Sequence, residues 1–267
     1  MNPTTTAFTA LVLAADRGSG NPVAEAAGVP VKSLTPVGGT PMVLRVLDAL
    51  EAAQEVDTCI LCGPPPTIVN QVAELRARIA SGAVRWTGHQ ATPSSSTSHV
   101  LQSLPENTPV LVTTADHALL SARIVDYFCS EARTTGCDIA AGLAAYDSVL
   151  AAYPTTRRTA MRFRDGAYCG CNLFAFLTPR ARAAADWWRR VEHQRKKPLR
   201  MMGALGGRNV LLYLLRRLTL TEGLEQISRR MGLRAGAVIL PFPEAAVDVD
   251  KVSDWELVEA ILARQSP

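Results

Sequence analysis

A chain of 267 residues, 48% apolar and 19% charged, is long enough to bury a sizeable core and too apolar to be disordered. Its net charge of +4 favours anionic ligands slightly and identifies none. No run reaches transmembrane length and the residues before Ala7 lack the Lys or Arg of a secretory signal, so a cytoplasmic setting with six reduced cysteines is expected.

The apolar run Ala10 to Ala15 reads as a buried strand that opens into a loop holding Gly18 and Gly20. A solitary Lys32 follows, then Leu34-Thr35-Pro36-Val37-Gly38-Gly39-Thr40-Pro41-Met42. Such strand-to-glycine loops let backbone N–H groups approach phosphates, and a lysine adds a point charge. Ordinary turns use glycine just as readily. Pro41 to Ala53 has apolar residues at helical spacing, at Met42, Val43, Val46, Leu47 and Leu50. Thr58 to Cys62 is a second strand, stopped by Gly63-Pro64-Pro65-Pro66. Ile68 to Ile79 reads as a helix and Ala83 to Trp86 as a third strand. This alternation predicts a mostly parallel sheet covered on both faces, with the ligand site at the carboxyl ends of its strands. Cys59-x-x-Cys62 lies inside an apolar run with no second pair at zinc spacing, which favours core cysteines.

Gly88 to Ser98 is the most hydroxyl-rich stretch and reads as a loop capping a helix from His99 to Leu104. A buried strand at Val110 to Val112 then runs into Thr113-Thr114-Ala115-Asp116. Asp116 is either a ligand-facing carboxylate at a strand end or a cap for the helix Ser121 to Ala132, although it lies five residues before Ser121. Cys137 to Ala145 is another strand. Met161 to Arg164 and Tyr168 to Phe174 predict a hairpin across Asp165-Gly166. Within it Asn172, an amide amid Cys, Leu and Phe, needs partners.

From Pro179 the composition shifts to helices at Ala181 to His193, Leu205 to Leu218 and Leu220 to Met231. The basic run Arg195 to Arg200 follows Trp187 and Trp188 closely. It reads as a membrane-surface contact, an electropositive wall for an anion, or a solvated turn beside a core-facing tryptophan pair. No nucleic-acid module is recognisable. After a strand at Ala237 to Leu240, Ser253 and Glu256 spell a capping box for the helix Glu256 to Ala263. The preceding Asp248-Val249-Asp250 needs another reason.

Leu13-Ala14-Ala15, the glycine loop, Lys32 and the Pro-Val-Gly-Gly-x-Pro-Met stretch together resemble the opening of the nucleotidyltransferases of the glycosyltransferase-A-like fold. That group includes the sugar-phosphate, molybdenum-cofactor and isoprenoid-precursor enzymes. Asp16 stands where the pattern has its first glycine, and no arginine follows the second. The resemblance spans nearly the whole chain. It implies a single three-layer αβα domain with a mostly parallel, Rossmann-like sheet, within which the composition shift marks a helical basic insert over 178–234. It further implies a Mg²⁺-dependent NTP transferase that joins an NMP to a small phosphorylated acceptor and releases pyrophosphate, CTP being favoured and GTP next.

The same resemblance distributes roles over this chain. Lys32 would be catalytic, and Leu13, Ala14, Ala15, Asp16, Arg17, Gly18, Ser96 and Ser98 would bind nucleotide. Arg157, Arg158 and Asn172 would meet the acceptor. Asp116 and Asp250, with Asp248 second to it, would hold the metal. Two alternatives stay open: a glycosyltransferase of the same fold using a sugar nucleotide, and a non-catalytic nucleotide-binding regulator. A lipid-linked substrate, a peripheral membrane contact and a homodimer are further expectations.

Overall fold

Alternation inside the apolar runs decides the layers. In Phe8–Leu13 (β1) Phe8, Ala10 and Val12 enter one apolar cluster while Leu11 enters another on the opposite face. A strand covered on both faces is apolar along most of its length, and β1 is buried from Phe8 to Val12 with Thr9 its one polar residue. The computed structural model describes residues 6–16, 20–192 and 212–265. Arg17 and Gly18, the basic run Arg195 to Arg200 and the first half of the helix expected over 205–218 lie outside them.

The further strands are β2 (Pro36–Val37), β3 (Thr40–Pro41), β4 (Val56–Cys62), β5 (Val84–Thr87), β6 (Val110–Thr114), β7 (Ile139–Ala145), β8 (Met161–Phe163), β9 (Gly166–Phe176) and β10 (Ala235–Leu240). The helices of the described residues are α1 (Pro22–Ala27), α2 (Met42–Glu51), α3 (Pro66–Val69), α4 (Ala73–Ser81), α5 (Pro93–Ser103), α6 (Ala122–Thr134), α7 (Tyr146–Ala152), α8 (Arg182–Glu192), α9 (Leu220–Met231) and α10 (Val252–Gln265). The main sheet runs β10-β7-β9-β6-β1-β4-β5, with β8 paired to β9. β1 is parallel to β4 and β6, β4 to β5 and β10 to β7, whereas β9 is antiparallel to both neighbours. Apolar residues of α2 and α6 cover one face, and those of α5 and α8 the other, completing a three-layer αβα domain.

Cys59 and Cys62 are three positions apart on β4 and enter opposite apolar clusters. Their sulfurs therefore serve the two faces of one strand, and burial pushes the Cys59 thiol up to about 12. Among the described residues, no helix is long and apolar enough to cross a membrane.

Local departures from the sequence expectations have physical causes. The helix expected over Ile68 to Ile79 divides into α3 and α4. The hydroxyl-rich stretch is not a loop to Ser98, because α5 begins at Pro93. Thr92 accepts from Ser95 N–H while the Ser95 hydroxyl meets Thr92 N–H, a capping box that starts the helix six residues earlier than His99. Thr92→Ala should lower stability by about 1 kcal/mol, read as a shifted denaturant midpoint at constant m-value. The segment before Lys32 also contains α1, unanticipated despite its punctuation: Asn21 caps it, Pro22 opens it and Gly28 closes it at φ +66°. Pro36 to Pro41 folds as a two-residue hairpin with Gly38 and Gly39 at φ +57° and +77°, values glycine adopts without strain. Trp255 Nε1 donates to Pro36 O at 2.8 Å, so this hairpin anchors α10.

Candidate functional site

The strand order around β1 sets the crevice. β4 and β6 flank β1 on opposite sides and all three are parallel, so the chain reverses direction of travel across the sheet there. Loops leaving such strands diverge and open a cleft at their carboxyl ends. The register aligns Leu13 with Thr114, and Ala115 N–H donates to Leu13 O at 3.0 Å. Ala14, Ala15 and Asp16, just past β1, line one cleft with Asp116. The cleft has a volume of about 410 Å³, a size that accepts a small molecule.

Asp116 lies two residues beyond the end of β6. Its carboxylate accepts from Thr114 Oγ1 at 2.5 Å, and its backbone carbonyl accepts from Val249 N–H at 3.0 Å. That second bond brings the late Asp248-Val249-Asp250 segment to the strand end. Val249 is fully buried, which turns its two neighbours toward the cleft they both line. One carboxylate oxygen from each of Asp116, Asp248 and Asp250 lies within 4.8 Å of the others.

Lys32 completes the cluster. Its Nζ donates to Asp116 Oδ2 at 2.5 Å and to Asp250 Oδ1 at 3.2 Å. Burial alone would lower its pKa, but the two carboxylates outweigh it and hold the ammonium above its ordinary value. Asp248 sits in a second knot. It accepts from Arg158 Nη1 and from Asn172 Nδ2, the latter at 2.9 Å, while Arg158 Nη2 reaches Asp254 at 3.5 Å. Burial and neighbouring Asp116 push the Asp248 carboxyl up to about 6, and Arg158 opposes them.

The charges Asp116, Asp248, Asp250 and Asp254 are met in these pairs by two cations, Lys32 and Arg158. Such an excess of hard oxygens suits a divalent cation, and a magnesium ion needs only one or two carboxylates besides phosphate oxygens and water. The donor set therefore fits that ion. Crowding of like charge also predicts opposite stability effects within the second knot. Asp248→Asn should leave the metal-free protein as stable or more so, whereas Arg158→Ala should cost about 3 kcal/mol by leaving Asp248 and Asp254 without their cation. Thermal melts in chelator would read both.

Asn172 reaches Asp248 through an irregularity in β9. The β7–β9 register moves from Ala141 opposite Phe174 to Leu143 opposite Gly170, and Asn172 adopts φ +49°. A bulge re-aims a side chain in this way, and asparagine tolerates the left-handed region better than most residues.

The other candidates divide between the cleft and its surroundings. Ser96 is buried and accepts from Gln90 N–H at 2.8 Å. Ser98, also buried, donates to Asp186 Oδ1 at 3.2 Å between α5 and α8. From that stretch it is Pro93, the first residue of α5, that lines the cleft. Arg157 is exposed and outside the cleft lining, and Arg158 is committed to carboxylates. Leu13, Ala14, Ala15 and Asp16 all line it. Asp16 Oδ2 accepts from the Lys32 backbone N–H at 2.8 Å.

The cleft also holds residues the sequence reading passed over. Asn21, Ser33, Phe174 and Trp188 line it, the last two with ring centroids 6.0 Å apart. Phe174 lies two residues beyond Asn172 on the same strand, so period-two alternation was the available signal. Trp188 is the member of the tryptophan pair whose place in the cleft depends on α8 packing against α5. Asp254 accepts from the N–H groups of Asp250 and Lys251, both at 3.1 Å, and α10 opens at Val252 instead of at Glu256. The expected Ser253 cap is thus inside the helix, whose first-turn carboxylate, Asp254, reaches back to the N–H groups just before it.

Comparison with known proteins bears on the family and the fold. A family described as the MobA-like NTP transferase domain matches residues 10–235. A solved structure titled a hypothetical transferase from Thermus thermophilus is 30% identical, with a TM-score of 0.77 over 93% of this chain and 99% of that one. A 4-diphosphocytidyl-2C-methyl-D-erythritol synthase from Anaerococcus prevotii matches at 14% identity and a TM-score of 0.56, over 97% of each chain. A CMP:2-keto-3-deoxy-manno-octonic acid synthetase complexed with CTP matches at 15% identity and 0.56, over 97% of this chain and 100% of the other. These last two show the shared fold. No curated protein sequence gives a match.

Proposed function

The chain belongs to the MobA-like NTP transferase family, and on that premise we propose that it joins an NMP to a small phosphorylated acceptor with Mg²⁺ and releases pyrophosphate. The single observation that carries this reading is the meeting of Lys32 with Asp116 and Asp250 at the carboxyl ends of β1 and β6. A phosphate oxygen of the acceptor attacks the α-phosphorus, the bond to the bridging oxygen breaks and pyrophosphate departs. No covalent enzyme intermediate is needed.

Catalysis by this chain is then positioning and charge placement. Ala14, Ala15 and Asp16 present the loop side of the cleft to the nucleotide. Lys32 offsets negative charge gathering on the departing phosphates. Asp116 and Asp250, with Asp248, would hold Mg²⁺, which when bound neutralises phosphate oxygens and draws the triphosphate into line. Asn172 keeps Asp248 in place and faces the acceptor side, where an alcohol phosphate, a sugar phosphate or a cofactor precursor would sit.

CTP is the first choice of nucleotide, since structures of this fold include one complexed with CTP, and GTP is next. The four NTPs should be screened against phosphorylated alcohols and sugars for Mg²⁺-dependent pyrophosphate release. A signal with CTP that chelator abolishes is the expected result. Turnover of a sugar nucleotide without pyrophosphate would favour a glycosyltransferase. Silence across the panel with nucleotide binding intact would favour a regulator.

A further inference from the structure

Asp16 stands three residues beyond the end of β1, where the family pattern places glycine, and a carboxylate there would repel a triphosphate. The geometry gives it a different task. Its Oδ2 accepts the Lys32 backbone N–H at 2.8 Å, linking positions sixteen residues apart. Lys32 is the first residue of a 3-10 turn ending at Leu34, and Val31 before it supplies no side-chain cap. The first N–H groups of a helical turn lack partners within it, so a carboxylate arriving from another segment fills that need. A bond to an ionised acceptor is among the stronger hydrogen bonds.

The consequence reaches the ammonium. The lysine stem is flexible, so where its Nζ dwells depends on how firmly its backbone is held. With the N–H fixed to Asp16 in the loop after β1, Nζ lies 2.5 Å from Asp116 and 3.2 Å from Asp250. Glycine at position 16 has no side chain with which to make this link.

We propose that Asp16 is a positioning residue that clamps the Lys32 backbone and so holds its ammonium at the Asp116–Asp250 pair. Its role in turnover rests on the cleft being the NTP site, while its effect on the lysine does not. Two variants separate the hydrogen bond from the charge: Asp16→Asn keeps a carbonyl oxygen that can accept, and Asp16→Ala keeps nothing. The first readout needs no substrate. Acetic anhydride labelling of Lys32, followed by peptide mass spectrometry, reports how often the amine leaves its carboxylates.

Asp16→Ala should label Lys32 roughly ten times faster than the unaltered protein, while Asp16→Asn stays within about threefold of it. In the pyrophosphate assay, Asp16→Ala should lose roughly ten- to hundredfold in kcat with the NTP KM little changed, and Asp16→Asn should restore most of it. Equal labelling in Asp16→Ala and the unaltered protein would overturn the clamp, as would Asp16→Asn behaving like Asp16→Ala. If the unaltered protein releases no pyrophosphate, the functional reading fails and the labelling alone decides the clamp. A variant that does not melt cooperatively is replaced by Asp16→Ser, whose shorter side chain should label at the Asp16→Ala rate if the clamp is real and at the unaltered rate if it is not.

Discussion

Asp116→Ala is expected to lower pyrophosphate release by roughly three orders of magnitude while the protein stays folded. The side chain is 14% exposed and sits past the end of β6, so its removal opens no cavity in the sheet. The neighbours that carry the packing, Ala115 and Ala118, are untouched and buried. The bond from Val249 N–H goes to the backbone carbonyl of Asp116, which alanine retains. What disappears is a carboxylate shared by Thr114 and Lys32 and set beside Asp248 and Asp250. Titration with Mn²⁺ should therefore weaken in parallel with activity, under an unchanged circular-dichroism spectrum. Near-normal turnover in a folded Asp116→Ala protein would remove this residue from the metal site and with it the proposed mechanism.

Lys32→Ala carries the second large effect, and it has two parts of opposite sign. Turnover should fall by roughly a hundred- to a thousandfold, the loss seen when one charge-stabilising donor is taken from a transition state. Divalent-ion binding in the absence of nucleotide should instead tighten. The ammonium now occupies the space between Asp116 and Asp250, and it competes there with any incoming cation. Its raised pKa means that it competes as a full positive charge across the neutral range. Mn²⁺ titration of the nucleotide-free Lys32→Ala protein should give an affinity several-fold higher than that of the unaltered chain, by Coulomb attraction at these distances. Weaker binding would show that the lysine supports the metal site instead of filling it.

Much of the fold was legible along the chain because its signals are local. β1, β4 and β6 are short apolar runs ended by turn residues, and α2 and α6 show apolar residues at helical spacing. Misreadings came where two local rules competed. Ser94 to Ser98 read as a loop by composition, yet Thr92, Pro93 and Ser95 supply an N-cap, a first residue and a capping box, and the helix prevailed. Ser253 and Glu256 spelled a capping box, yet the helix begins at Val252 and it is Asp254 that reaches back to the N–H groups before it.

For the site, it was the family resemblance that singled out Lys32, Asp116 and the Asp248–Asp250 pair, since residue types alone left Asp116 open between a ligand-facing carboxylate and a helix cap. Nothing local could show that they meet. That depends on the parallel register of β1 with β6 and on one hydrogen bond from Val249 to Asp116 across a long stretch of chain. The direction of each charged side chain was likewise a tertiary matter. Arg158, expected at an acceptor phosphate, turns to Asp248 and Asp254 because buried carboxylates draw the nearest guanidinium. Asp16, the residue most at odds with a phosphate loop, is reconciled by a partner sixteen residues away: the sequence by itself determined that a carboxylate stands there, and only the folded backbone decided that it holds Lys32 in place.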